Sequence, residues 1–370
     1  MSPTAPPAAT ATVGTPDPAT LRWEPIGMID SQQIDGLVSF DRGYIAYETG
    51  YAGPPAAWFS ADGRDWARVE LARGRCSDNP VGFGGAVWHG ATNGTEVMLV
   101  GHEMLGCDGH YQPASWITSD GVTWQTSTFV EPPRGPASRA HHVWAMPDGW
   151  EANVQPGDGS NVVWRSSDGL TWHEVANLGQ DFLYAVVATT DGTRLGSISG
   201  RDRQWLATST DGLTWREIAA PRHEPVRVIL PGSPDGQDPW VVIFTSPDGT
   251  ATTTATSFDL AVWEQRSSPM QQIEAIVRTR YGLVEISTIP CFEGGEEIGG
   301  PVVEVEASEC PAAEYTTYLS HDGLSWDKLA SHVPAMGIAD GPAGVIGIAR
   351  WEAREPGGLT VWRLGPSVVR

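Results

Sequence analysis

Short apolar runs punctuated by Gly, Asp and Pro fill the chain, and none has the 3.6-residue period or the length of a substantial helix. Around Ser166 the pattern is plain. The run NVVW (161–164) leads into SSDGLTW, and HEVANL (173–178) follows with polar and apolar positions alternating. Two such runs joined by a tight Asp-Gly turn predict a β-hairpin. Upstream, HVWAMPDGWEANV (142–154) predicts a second hairpin, and YAVVATTDGTRLGSI (184–198) does the same for the next unit. Four strands per unit is the make-up of a propeller blade.

The turn recurs along the chain. Clear copies run Ser60–Trp66, Thr118–Trp124, Ser166–Trp172, Ser209–Trp215 and Ser320–Trp326, and a worn copy, SFDLAVW (Ser257–Trp263), lacks the glycine. In each, the tryptophan (Trp66, Trp124, Trp172, Trp215, Trp263, Trp326) lies four residues after the aspartate (Asp62, Asp120, Asp168, Asp211, Asp259, Asp322). Intervals of about 43 to 63 residues between copies point to a repeat architecture. After the last copy come three strand-like runs, near Ala335–Ala339, Gly344–Ala349 and Leu359–Leu364. LRWEPIGM (Leu21–Met28) has Trp23 where a repeat tryptophan would stand, so the first strand is expected to complete the last blade. The expected fold is therefore all-β: one seven-bladed propeller of four-stranded antiparallel blades over 21–365, after a Pro/Ala/Thr-rich tether (1–20) and before a short tail (366–370).

The Ser/Thr-x-Asp-Gly-x-x-Trp turn resembles the Asp-box, or BNR repeat, of the sialidase-like propellers, and the resemblance covers about residues 21 to 365. It implies the propeller fold. It does not imply an activity, because its bearers include sialidases, other glycoside hydrolases, sortilin-type receptors and photosystem assembly factors. The turn chemistry explains this breadth. The aspartate accepts backbone N–H bonds across its own turn, the Ser or Thr hydroxyl does likewise, glycine supplies positive φ, and the tryptophan offers a plate for the neighbouring sheet. These six aspartates and tryptophans are expected to be structural, with the ligand-bearing loops on the opposite face.

Composition narrows the partners. A net charge of -22 and a pI near 4.6 argue against nucleic acid and against an anionic membrane surface. Positive charge is nearly all arginine; Lys328 is the one lysine. No apolar run is long enough to span a membrane. The first twenty residues lack the hydrophobic core of a signal peptide and suit a tether following a removed signal or a lipid anchor. Cysteines fall in local pairs, Cys76 with Cys107 and Cys291 with Cys310, which suits two disulfides and an extracellular or cell-surface location.

The candidate binding face collects His102, Glu103, His110, Tyr111, Arg139, His141, His142, Arg201, Arg203 and Trp351. A metal among these histidines is conceivable, but no zinc-ligand spacing is present and no metal is assigned. No cofactor is expected. Acidic turns and the run Glu293–Glu309 permit Ca²⁺ at most. Arginines with loop positions, Arg227 among them, suit carboxylate recognition. The arginines and tyrosine of a sialidase do not transfer, since Arg42 and Tyr281 fall on turns at the wrong face. No Gly-x-Ser-x-Gly elbow, phosphate loop or His-Glu-x-x-His appears. The reading is a monomeric, extracellular binding or interaction propeller for a glycan or protein partner. A sialidase-like glycoside hydrolase or lyase is the alternative, and an assembly factor for a membrane complex a second one.

Overall fold

A computed structural model describes residues 17–366 apart from 32, 50–54, 72–84, 105–110, 130–137, 190–191, 221–223, 233–236, 247–250, 270–271, 289–314, 330–334 and 350–357. The four cysteines, the run 293–309, residues 1–16 and residues 367–370 lie outside the described residues. Asp17 caps a short 3-10 turn, Pro18–Thr20, at the end of the stretch read as a tether. Among the described residues no helix is long and apolar enough to cross a membrane.

Seven four-stranded antiparallel blades form the ring. They lie within 36–70, 85–129, 139–179, 182–217, 226–267 and 272–328, and the seventh combines 335–366 with the strand Leu21–Ile29. That N-terminal strand runs antiparallel to Leu359–Pro366, so the first strand seals the last blade. Blades 2 and 3 are also joined at their outer edges, where Thr171 and Trp172 pair in parallel with Thr128 and Phe129.

One apolar cluster fills each gap between neighbouring blades, and each holds one outer-strand tryptophan. Trp66, Trp124, Trp172, Trp215, Trp263 and Trp326 each pack toward the preceding blade, and Trp23 does so for blade 7. Trp23 Nε1 donates to Thr317 Oγ1 of blade 6 at 3.1 Å. Trp172 Nε1 reaches Ser115 and Ser127 Oγ of blade 2 at 3.1 and 3.0 Å, whereas Trp66 and Trp215 donate within their own turns.

All six repeat turns share one hydrogen-bond pattern. Oδ1 of each aspartate accepts two backbone N–H bonds, as Asp120 does from Val122 and Thr123 at 2.8 and 2.7 Å. The Thr123 and then the Val122 N–H donors hold the Asp120 carboxyl down at about 2, and similar donors lower Asp62, Asp168, Asp211 and Asp259. An acid held ionised by its own turn is poorly suited to proton donation. In the worn copy Leu260 takes φ +61 in place of the missing glycine, and its N–H still bonds Ser257 Oγ.

Two buried acids break the apolar pattern. Glu151 of blade 3 is bound by Arg165 of its own sheet and by Arg194 of blade 4, and Arg165 and Arg194 also bond the Asp211 and Thr210 carbonyls beside the blade 4 turn. Glu285 of blade 6 is fully buried with both carboxylate oxygens unpartnered. The matching positions of the other blades hold Ala46, Leu99, Ala152, Gly196, Val242 and Gly347. Burial, with Glu274 adding repulsion, pushes the Glu285 carboxyl up to about 9. Above pH 4.3 the unfolded chain releases this proton while the folded chain keeps it, so stability falls as pH rises from about 4.3 to 9. The slope approaches about 1.4 kcal/mol per pH unit. Glu285→Leu is expected to raise stability at pH 8 and to flatten this decline in urea titrations; parallel profiles for the two proteins would contradict it.

Candidate functional site

Each inner strand starts at the face that carries the blade-to-blade links. Six of the seven have a register shift near that start. The extra residues are Trp88, His141, Arg227, Glu274 and Met336 in blades 2, 3, 5, 6 and 7, and Ala185–Val186 in blade 4, where Ala185 has φ +37. Such bulges bend the strand and re-aim side chains. Here they bring residues of neighbouring blades together at the mouth of the central channel.

Blades 2 to 4 supply a continuous shelf of rings. Tyr111 meets His102 edge-on with centroids 4.5 Å apart, and His102 and His141 each lie about 6 Å from Trp88. Phe182 then contacts His141 and His142 at 5.8 Å and Tyr184 at 4.5 Å, and His142 meets His89 at 5.2 Å. Arg139 closes the outer end with its guanidinium 5.3 Å from the centre of the Tyr111 ring. Tyr184, 40% exposed, is the most open ring of the set.

The imidazoles of this shelf are held neutral. Burial lowers His89 and His102 to about 4 and His142 to about 3, and lowers His141 as well. Hydrogen bonding agrees with this. His102 Nδ1 accepts the Trp88 indole N–H at 3.0 Å, and His89 Nδ1 accepts the Val143 N–H at 3.4 Å. Protonation at either nitrogen would remove that acceptor. His141 Nε2 lies 3.3 Å from Gln155 Oε1. The result is an uncharged, partly open aromatic surface with Arg139 as a cation at its rim. It suits stacking on a flat apolar or sugar ring, with imidazole nitrogens for polar contacts.

Of the residues singled out from sequence, His102, Tyr111, Arg139, His141 and His142 meet in this shelf. Glu103 does not. It follows His102 along the strand and so faces the other side of the blade; burial raises its carboxyl. Arg203 is on the outer rim of blade 4, paired through both guanidinium nitrogens with Glu217 at 2.7 and 2.6 Å and stacked on Trp205, and Arg201 stands beside it in the same turn. His110 and Trp351 lie outside the described residues. Among the described residues no group of three His, Cys, Asp or Glu side chains is placed to hold a metal ion. Trp88, His89, Phe182 and Tyr184, on the inner strands Gly85–Thr92 and Phe182–Ala188, were not anticipated. A signal for the first two is the broken alternation in GAVWHGAT (85–92).

No known protein family matches the sequence, and no curated protein matches it. Solved structures do resemble the fold. YCF48 from Cyanidioschyzon merolae superposes with a TM-score of 0.50 at 13% identity, covering 92% of this chain and 98% of that one. A protein from Lactobacillus plantarum gives 0.54 at 10% identity, covering 86% and 95%. The Dos1 propeller gives 0.55 at 8% identity, covering 92% and 95%. At these identities the likeness is one of fold.

The neutral imidazoles have a consequence for stability. Below pH 6.5 the unfolded chain takes up protons that His89, His102 and His142 refuse in the folded state. The histidine contribution should therefore be complete above pH 6.5 and be lost as the pH falls toward 4, each histidine adding up to about 1.4 kcal/mol per pH unit, so that below pH 6.5 the three together outweigh the opposite slope of Glu285. Urea titrations between pH 7.5 and 5 should show this decline, made shallower by His142→Gln. A flat profile over that range would contradict it.

Proposed function

We propose that this protein is a monomeric binding or interaction propeller of the Asp-box, sialidase-like kind, acting outside the cell or at its surface, with a glycan or protein ligand on the ring shelf. The observation that carries this reading is the unbroken row of rings from Tyr111 to Tyr184 at the channel mouth. Aromatic platforms of this kind stack sugar rings and aromatic side chains alike, and a neutral site avoids the desolvation of charges. The repeat geometry supports the Asp-box assignment, and a ring sealed within one chain by its N-terminal strand supports a monomer. The local cysteine pairs and the Pro/Ala/Thr-rich start support an extracellular or anchored protein. Hydrolysis fits the shelf less well, since the usual route needs two facing carboxyl groups and the described shelf residues are rings and one guanidinium.

The test is a screen of the purified protein against a glycan panel with product analysis. Binding without cleavage is expected, and Trp88→Ala should weaken it by at least about tenfold. Release of free sugar would overturn the binding reading in favour of a glycoside hydrolase. Unchanged affinity in the Trp88 variant would remove the shelf as the site.

A further inference from the structure

The mouth of the ring is chemically two-sided. Blades 2 to 4 present the rings, and blades 5 and 6 place Arg227 and Glu274 at the corresponding bulges of adjacent inner strands. Both residues, together with His89 of the shelf, line a central cavity of about 390 Å³ bounded by blades 1, 2, 5, 6 and 7. That volume lies in the lower range of small-molecule sites. Apolar wall comes from Leu37, Val38 and Ile338, and Tyr47 lies across the wall between Gly36 and Gly90, where a Cβ at either glycine would overlap its ring.

Two features of the charged side stand out. Arg227 is exposed, and no described residue forms a hydrogen bond or an ion pair with its guanidinium. Glu274 stands on the next strand and takes its hydrogen bond from Thr288 Oγ1 at 2.8 Å instead. Opposite charges that line one concavity without closing on each other leave space for a ligand that carries both complements. A guanidinium fork grips a carboxylate through two parallel N–H bonds, and a carboxylate accepts the bonds of an ammonium group. Glu285, one strand behind, is held protonated by burial and leaves Glu274 as the acid facing the cavity.

We propose that the central cavity binds a small zwitterion of the α-amino acid class, its carboxylate on Arg227 and its ammonium on Glu274. This site adjoins the ring shelf at His89, which lines the cavity, while Arg227 and Glu274 lie outside the shelf.

The test measures the melting temperature of the full chain against the twenty free amino acids at millimolar concentration. At a hundredfold excess over the dissociation constant, one or more should raise it by about 3–6 °C. The matching N-acetyl amino acid amide, which keeps the side chain and loses both charges, should give no rise. Arg227→Gln should fold normally, since no described residue bonds its guanidinium, and should bind at least about tenfold more weakly by calorimetry; Glu274→Gln should weaken binding likewise. No rise with any amino acid, a full rise with the blocked amide, or undiminished affinity in both variants would each overturn the proposal.

Discussion

Seven inner strands must meet around one axis, and their crowding at the channel mouth governs what the rest of the molecule displays. Six of them admit an extra residue where they enter the ring, and those residues belong to the mouth rather than to the gaps between blades. Trp88 and His141 face each other across blades 2 and 3 for this reason, and Arg227 and Glu274 line one cavity from blades 5 and 6. In blades 2, 3, 5 and 6 a single bulge position thus adds Trp88, His141, Arg227 or Glu274 to the mouth.

The opposite face does different work. Each of its aspartates engages the N–H groups of its own turn through Oδ1, and the tryptophan that ends each turn enters the gap to the preceding blade. Trp23 performs this role on the closing strand, so the N-terminal strand is both the last strand of blade 7 and the plate between blades 6 and 7. Blades 2 and 3 are tied further, by the Thr171–Thr128 pairing and by the Trp172 indole bonding Ser115 and Ser127. Most of the shelf stands on these two tied blades, and Phe182 and Tyr184 extend it onto blade 4.

Fold was legible in the sequence because the repeated turn carries its own physics: an acceptor, a positive-φ residue and an apolar plate at fixed spacing. Strand count, blade count and the strand that closes the ring follow from those residues alone. The site was legible in part. Residues near strand ends, His102, Tyr111, Arg139, His141 and His142, were expected on one face, and the structure brings them together there. Their association with Trp88, His89, Phe182 and Tyr184 could not, because a bulge changes which side of a strand a residue faces and short motifs do not announce it. Glu103 shows the converse: next to His102 in sequence, it is carried to the other side of the blade by strand alternation. Glu285 occupies a position where the six other blades hold small or apolar residues, so it becomes conspicuous only after the blades are aligned by register.

The shelf depends on imidazoles that remain uncharged among the surrounding rings, and this can be observed directly. The chain has nine histidines, and isotope-labelled imidazole signals followed by NMR from pH 8 to 5 report the protonation of each. His89, His102 and His142 are expected to stay neutral throughout, with no midpoint above pH 5. Nine ordinary titrations centred near pH 6.5 would show that the rings are solvated and apart, and would contradict the shelf.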